Sequence, residues 1–253
     1  MIDDDCIGFL QWALPRLRLR WQGFRKVRRQ VCRRISRRLA ELGLADADAY
    51  RAYLEAHAEE WAVLDALCRV TISRFWRDRA VYEALRDEVL PALGPAVSAW
   101  SAGCASGEEP YSLVIAAAEA GVGLRVLATD VEEAVLERAQ RAAYPESSLR
   151  ELPEEVRARA FEDGRLRRDY RERVVIRRHD VRSAAPPEAP FDLVLCRNLV
   201  FTYFAEDLQV QVGTRLAGAL RPGGALVVGA HETPPPDAFE PWICTRGVWR
   251  RAA

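Results

Sequence analysis

The sequence predicts an α/β protein in which a mostly parallel sheet follows an all-helical N-terminal domain. Three observations carry that prediction. Phe24, Val27, Val31, Ile35, Leu39 and Leu42 recur at three- and four-residue steps, the period of one helix face. From residue 97 onward, short apolar runs alternate with helical patterns, as they do when parallel strands are joined by crossover helices. Between the first run and its helix lies a loop of tiny residues, Gly103-Cys-Ala-Ser-Gly107, whose glycines permit positive φ and close approach of backbone to a ligand.

Taken in order, residues 1–15 read as a short helix ending near Pro15. The basic amphipathic helix follows and stops at Gly43, a residue suited to the left-handed position after a helix end. Asp46 or Asp48 can cap the next helix, which carries Tyr50, Tyr53 and Leu54. A third is expected over about 59–70. These helices form the N-terminal domain, residues 1–72. A linking loop and helix, 73–96, lead into the second domain, 97–253. Its strands are expected at 97–101, 124–128, 174–176, 191–196 and 225–229, the last after a turn at Arg221-Pro-Gly-Gly224. Final strands are expected within 242–250, turning at Gly247. An insert at about 144–173, with an acidic helix over 152–161, is expected to cap the sheet edge or the ligand.

With 253 residues, 49% hydrophobic and 29% charged, the chain has enough apolar material for a sizeable core. Its net charge of +0 hides an asymmetry: Arg16 to Arg38 contains many Arg and Lys residues and no acid. Such a face suits an acidic partner, or is simply solvated. Nucleic acid is not the favoured partner, because the aromatics here are spaced like core residues and no recognised nucleic-acid-binding motif appears. The six cysteines form no Cys-x-x-Cys pair and lack zinc-like His spacing, so neither a metal site nor a disulfide framework is expected. With no signal peptide and no apolar run near 18 residues, the reading is a reduced, cytoplasmic protein without direct membrane insertion.

Glu108 and Glu109 fall in the first turn of the helix after the glycine loop, beside Pro110. Carboxylates there would repel the phosphates that helix N-termini usually hold. A phosphate-free cofactor with a cationic end fits better, and S-adenosylmethionine has a sulfonium and an ammonium. Asp130 closes the second strand, where it can accept from both ribose hydroxyls or cap the following helix. Asp180 closes the third strand and can read an adenine amino group. Cys196-Arg-Asn198 closes the fourth. Three polar strand ends then face the edge at which open α/β sheets bind ligands.

With these residues in view, the chain resembles the chemotaxis-receptor glutamate methyltransferases, the CheR-type family. The resemblance rests on Ser-Arg-Phe-Trp-Arg-Asp78, the segment Trp100 to Ser112, Ala-Thr-Asp130, Phe-Asp-Leu-Val-Leu-Cys-Arg-Asn198, Arg-Pro-Gly-Gly224 and Gly-Ala-His-Glu232, and runs from about Arg25 to His231. It implies a class I S-adenosylmethionine (SAM) methyltransferase fold, Rossmann-like, behind the helical domain. It implies that Thr71, Ser73 and Arg77 reach the methionine end of SAM, that Gly103 and Glu109 line it, and that Asp130 holds the ribose. Asp180 and Val181 would meet the adenine, with Asn198 and Leu199 flanking the pocket. Tyr203, near the reacting methyl, and Arg77, attracting an acceptor carboxylate, are the implied catalytic residues. The implied partner is an acidic helical protein such as a chemoreceptor cytoplasmic domain.

The chain departs from the family pattern in four places, one of them Gly229-Ala-His-Glu232 where Gly-His-Ser-Glu is usual. Thr71 and Ser73 stand where an Asn-x-Thr is usual. One extra residue separates Asn198 from Tyr203. The insert lacks the glycine-rich hairpin that docks a receptor's C-terminal peptide in some members, so tethering to such a peptide is not expected. The implied reaction is in-line methyl transfer to a carboxylate oxygen, leaving S-adenosylhomocysteine. A carboxylate is ionised at neutral pH, so positioning and water exclusion would carry catalysis without a strong base. His179 and His231 are accordingly read as structural. A same-fold methyltransferase with another acceptor, and a non-catalytic SAM-binding regulatory module, are the alternatives.

Overall fold

In this computed structural model the described residues are 3–186, 188–242 and 247–252. They fall into two compact units. The first comprises the chain up to Val70 together with Thr202–Leu208; the second comprises Thr71–Phe201 and the chain from Gln209.

The first unit is helical: α1 (Asp3–Arg16), α2 (Trp21–Phe24), α3 (Arg28–Leu42), α4 (Ala47–Ala56) and α5 (Glu60–Cys68). The basic helix expected to run unbroken from Phe24 is divided after α2. Gly23, inside α2, permits a close approach: a Cβ would lie 2.3 Å from the Thr202 carbonyl oxygen. Gly43 takes the left-handed position expected of it, with φ 69°, and Asp46 caps α4 by accepting the Ala49 N–H at 2.8 Å. Phe9, Leu14, Phe24, Val31, Ile35, Leu39, Tyr50 and Leu54 are buried together, with the Phe9 and Tyr50 rings stacked 5.4 Å apart.

Burying that apolar face sorts the basic residues. Arg34 donates to the Leu67 and Arg69 carbonyls, and Arg38 forks onto Glu60 at 2.9 and 2.8 Å. Arg25, Lys26, Arg29, Arg33 and Arg37 remain exposed. One cysteine expectation is overturned: Cys6 and Cys32 form a disulfide that ties α1 to α3. Their separation of 26 residues hides the pairing, which arises because the helix packing brings the two Cα atoms to 5.9 Å. Cys68, Cys104 and Cys196 are buried free thiols; Cys244 lies outside the described residues.

The second unit is built on a seven-stranded sheet ordered β5-β2-β1-β6-β7-β9-β8. Its strands are β1 (Ala96–Ala102), β2 (Gly123–Asp130), β5 (Val174–Arg178), β6 (Phe191–Leu195), β7 (Leu220–Val227), β8 (Phe239–Pro241) and β9 (Val248–Arg251), with β3 (Phe161–Glu162) and β4 (Arg165–Leu166) forming a separate hairpin. The first five pair in parallel, and β9 and β8 add antiparallel at one edge. The chain fills one side of β1 with β2 and β5, then crosses to β6. That reversal is the topological switch point, where such sheets bind ligands. Connecting helices include α6 (Arg79–Ala84), α7 (Leu90–Leu93), α8 (Glu108–Glu119) and α9 (Glu133–Arg141).

Two further expectations are corrected here. Arg221-Pro-Gly-Gly224 does not precede its strand but is a bulge within β7: Phe191 pairs with Leu220, yet Leu193 pairs with Ala225. The insert holds a short hairpin, β3–β4, turning at Asp163 and Gly164 with φ 47° and 73°; with one glycine in 144–173 it is not the glycine-rich hairpin of some family members. The stretch 73–96 is not a separate linker, because Phe75, Trp76, Tyr82, Leu85 and Val89 belong to the core of the α/β unit. Part of the expected final strands, residues 243–246, lies outside the described residues.

Candidate cofactor site

The site in the α/β unit begins where β1 meets α8. Gly103 and Cys104 N–H groups both donate to the Thr129 carbonyl, at 2.8 and 2.9 Å, which folds the loop back onto the end of β2. Gly103 (φ 84°) has no room for a side chain, since a Cβ would sit 2.3 Å from Leu199 Cδ2. Asp130 receives the Ala105 N–H on one carboxylate oxygen and the Glu132 N–H on the other, each at 3.0 Å. It therefore joins the loop and turns the chain into α9.

Glu108 and Glu109 are both buried, but they do different things. Glu108 accepts Ser106 Oγ at 2.8 Å and Ser148 Oγ at 2.9 Å, which fastens the insert to the loop. It is a scaffold residue. Glu109 accepts Ser101 Oγ at 2.8 Å, and its other oxygen lies 3.8 Å from Arg197 Nη1, beyond hydrogen-bond length. Burial raises its pKa above the ordinary carboxylate value; Arg197, the Ser101 hydroxyl and Arg77 oppose the rise. A buried, incompletely compensated carboxylate at the head of α8 favours a cation and disfavours phosphate.

Arg197 is the hub of this region. Its side chain is 3% exposed. Nη2 donates to the Arg77 carbonyl at 2.7 Å and to Asp78 Oδ2 at 2.8 Å; Nη1 donates to Tyr82 Oη at 3.1 Å. The segment it grips is strained, with Trp76 at φ 52° and Asp78 at φ 63°. Left-handed non-glycine residues of this kind cost on the order of 1–3 kcal/mol each and persist where their surroundings enforce them. Trp76 N–H donates to Ser112 Oγ on α8 at 3.1 Å, and Phe75 N–H donates to the Ser148 carbonyl at 3.1 Å. Asn198 (φ 54°) donates its N–H to Glu232 Oε2 at 2.6 Å, as Gly229 does at 2.7 Å, so Glu232 fixes the turn at the end of β6.

The structure thus brings Gly103, Glu109, Asp130, Asn198 and Leu199 to one edge of the sheet, with Arg77 joined to them through Arg197. Arg77 Nη1 donates to the Ile72 carbonyl at 3.1 Å; Thr71 and Ser73, half-buried, share its segment. Asp180 and Val181 lie just beyond β5, which pairs with β2 through Asp130 and Arg178. Asp180 is clasped by Arg182, and Val181 is buried. His179 Nε2 lies 2.9 Å from the Ala184 carbonyl oxygen with its ring edge-on to Trp100, and His231 is exposed. Tyr203 groups with the helical unit, its ring 5.0 Å from Phe24 and its carbonyl accepting the Arg20 N–H.

Residues 71–248 match the family described as CheR methyltransferase, SAM binding domain, and residues 26–67 match CheR methyltransferase, all-alpha domain. The chain belongs to the CheR methyltransferase family. It is 39% identical over 178 residues to a chemotaxis protein methyltransferase of Listeria innocua serovar 6a, covering 66% of this chain and 67% of that one. It is 32% identical over 223 residues to a probable chemotaxis protein methyltransferase of Rhizobium etli, covering 80% and 83%. This CheR-family protein is a SAM-dependent methyltransferase. The donor set fits SAM: a buried acid beside a positive-φ glycine loop, an Asp at the end of β2, and no phosphate cradle among the described groups around it.

Arg197 and Glu232 stand inside the Cys-Arg-Asn and Gly-Ala-His-Glu motifs, yet neither they nor Asp78 and Tyr82 carry a role in the sequence alone. The signal was present in a charged residue embedded in an apolar strand end, which must be buried and paired.

Proposed function

We propose that this enzyme methylates a glutamate side chain on an acidic helical protein, such as the cytoplasmic domain of a chemoreceptor. The observation that carries the reading is the exposed row Arg29, Arg33 and Arg37 on α3. These residues are spaced by four, so they follow one side of a helix at about 6 Å intervals. Acids at i and i+4 on a partner helix repeat at the same interval. The relatives' description as chemotaxis protein methyltransferases supports the choice of partner.

SAM supplies an electrophilic methyl group on a sulfonium. The residues of this chain do the rest by binding and orienting. In this reading Glu109 faces the cationic part of the cofactor and Asp130 takes the ribose hydroxyls. Thr71, Ser73 and Arg77 meet the methionine end, with Gly103, Asn198 and Leu199 around it, and Asp180 and Val181 meet the adenine. Arg77 also draws the acceptor carboxylate, and Tyr203 is assigned to the neighbourhood of the transferred methyl. A cytoplasmic location belongs to the same proposal. Among the described residues no helix is long and apolar enough to cross a membrane.

The test is transfer of labelled methyl from SAM to a purified receptor cytoplasmic fragment. The label is expected on glutamate as an alkali-labile ester. Arg29→Glu with Arg33→Glu is expected to raise KM about tenfold with little change in kcat, since two exposed ion pairs are lost and two repulsions gained. No transfer, or an alkali-stable label, overturns the reading. The competing reading is a different acceptor, favoured by the extra residue before Tyr203. An acceptor screen with the same labelled SAM would then find a substrate where receptor fragments fail.

A further inference from the structure

We infer that Arg197 is a positioning residue, which sets the Arg77 segment for the methionine end of the cofactor without itself touching the ligand. The inference rests on the SAM reading above and goes beyond it, by naming the group that makes residue 77 a usable anion contact.

Arg77 lies between two residues in left-handed conformations, Trp76 and Asp78, neither of which is glycine. A segment so strained relaxes unless something holds it. Arg197 holds it at two points, the carbonyl of Arg77 and the carboxylate of Asp78, through one guanidinium nitrogen. Its other terminal nitrogen reaches Tyr82 Oη, at the start of the helix that follows, and lies 3.8 Å from Glu109. One rigid planar group therefore sets three elements against each other: the 71–78 segment, the segment's following helix and the head of α8. The Arg197 guanidinium also lies over the Tyr82 ring, at 5.2 Å, which fixes its plane. Lysine has one nitrogen and no plane, so it can replace the charge but not this geometry.

The site of anchorage matters as much as the bonds. Arg197 directly follows β6 and directly precedes Asn198, whose own left-handed turn is pinned by Glu232. The grip on Arg77 thus comes from the rigid end of a central strand. The Arg77 side chain folds onto its own segment, Nη1 donating to the Ile72 carbonyl at 3.1 Å. Its placement depends on the backbone that Arg197 fixes.

The test compares two ligands on the full chain by calorimetry. S-adenosylhomocysteine has the methionine end; methylthioadenosine has the same nucleoside and lacks it. Arg197→Lys is expected to weaken S-adenosylhomocysteine about tenfold and methylthioadenosine less than twofold. Equal losses for both ligands would mean general loosening of the site, and no loss for S-adenosylhomocysteine would mean Arg77 needs no such support; either result overturns the inference. If Arg197→Lys does not fold, as judged by its thermal transition, Asp78→Asn removes one of the two grips on the segment and the same selective loss is expected. Wild-type protein that binds neither ligand would instead overturn the SAM reading itself.

Discussion

Each unit buries a glutamate beside an arginine, and the two pairs are opposites. In the helical unit Glu60 takes both prongs of Arg38 and the Tyr50 hydroxyl at 2.8 Å. Arg38 holds its pKa below the ordinary 4.5, against the opposing effect of burial. In the α/β unit Glu109 lies 3.8 Å from Arg197, with one hydroxyl donor, and burial prevails, raising its pKa. The arginine that could have neutralised it is spent on Arg77, Asp78 and Tyr82. A fully paired acid stabilises a fold and has nothing left to offer a ligand. An under-paired one costs stability and attracts a cation. On the assignment of Glu109 proposed above, the difference separates a structural lock from a cofactor contact.

The locks of the helical unit should be costly to open. Cys32→Ser frees the loop closed between Cys6 and Cys32 and should lower stability by about 3 kcal/mol in urea, with S-adenosylhomocysteine affinity kept within about twofold. Arg38→Met leaves Glu60 with Tyr50 alone. The expected loss is about 2–3 kcal/mol, less than for a wholly buried pair because the Arg38 side chain is 26% exposed. A large loss of cofactor affinity in either variant would break the comparison.

The pH dependence sharpens it. Glu60 has a lowered folded-state pKa, so its contribution is present above the unfolded value near 4.5 and is lost as pH falls through the folded value. Glu109 has a raised pKa, so its contribution is present below 4.5 and is lost as pH rises through the folded value. Urea unfolding from pH 3 to 7 should show Glu60→Gln flattening the acid limb. Glu109→Gln should instead gain on wild type as pH rises above 4.5. The same slope for both variants would mean that the two acids sit in equivalent environments.

The sheet and most helix ends were legible because they rest on local signals: the alternation of apolar runs, Gly43 after α3 and Asp46 before α4. Asp130, Glu109 and the glycine loop were legible because strand ends in such sheets converge. What escaped depends on distant packing. Cys6 and Cys32 carry no spacing signal; only helix packing brings them together. The basic helix breaks at residues 25–27, where the sequence holds neither glycine nor proline and the apolar period runs on through Phe24, Val27 and Val31. Arg221–Gly224 has the composition of a turn, yet sheet pairing on both sides keeps it inside β7 as a bulge. Arg197 reads as one letter of a motif until its three partners, 115 to 120 residues away, are seen around it.

The most direct test of the contrast between the two acids is a pair of conservative substitutions measured two ways. Glu60→Gln and Glu109→Gln each remove one charge at nearly constant shape. Glu60→Gln should lose about 2 kcal/mol of stability and keep its calorimetric affinity for SAM within about twofold. Glu109→Gln should stay within about 1 kcal/mol of wild-type stability and bind SAM about tenfold more weakly. Unchanged SAM affinity in Glu109→Gln would contradict the account.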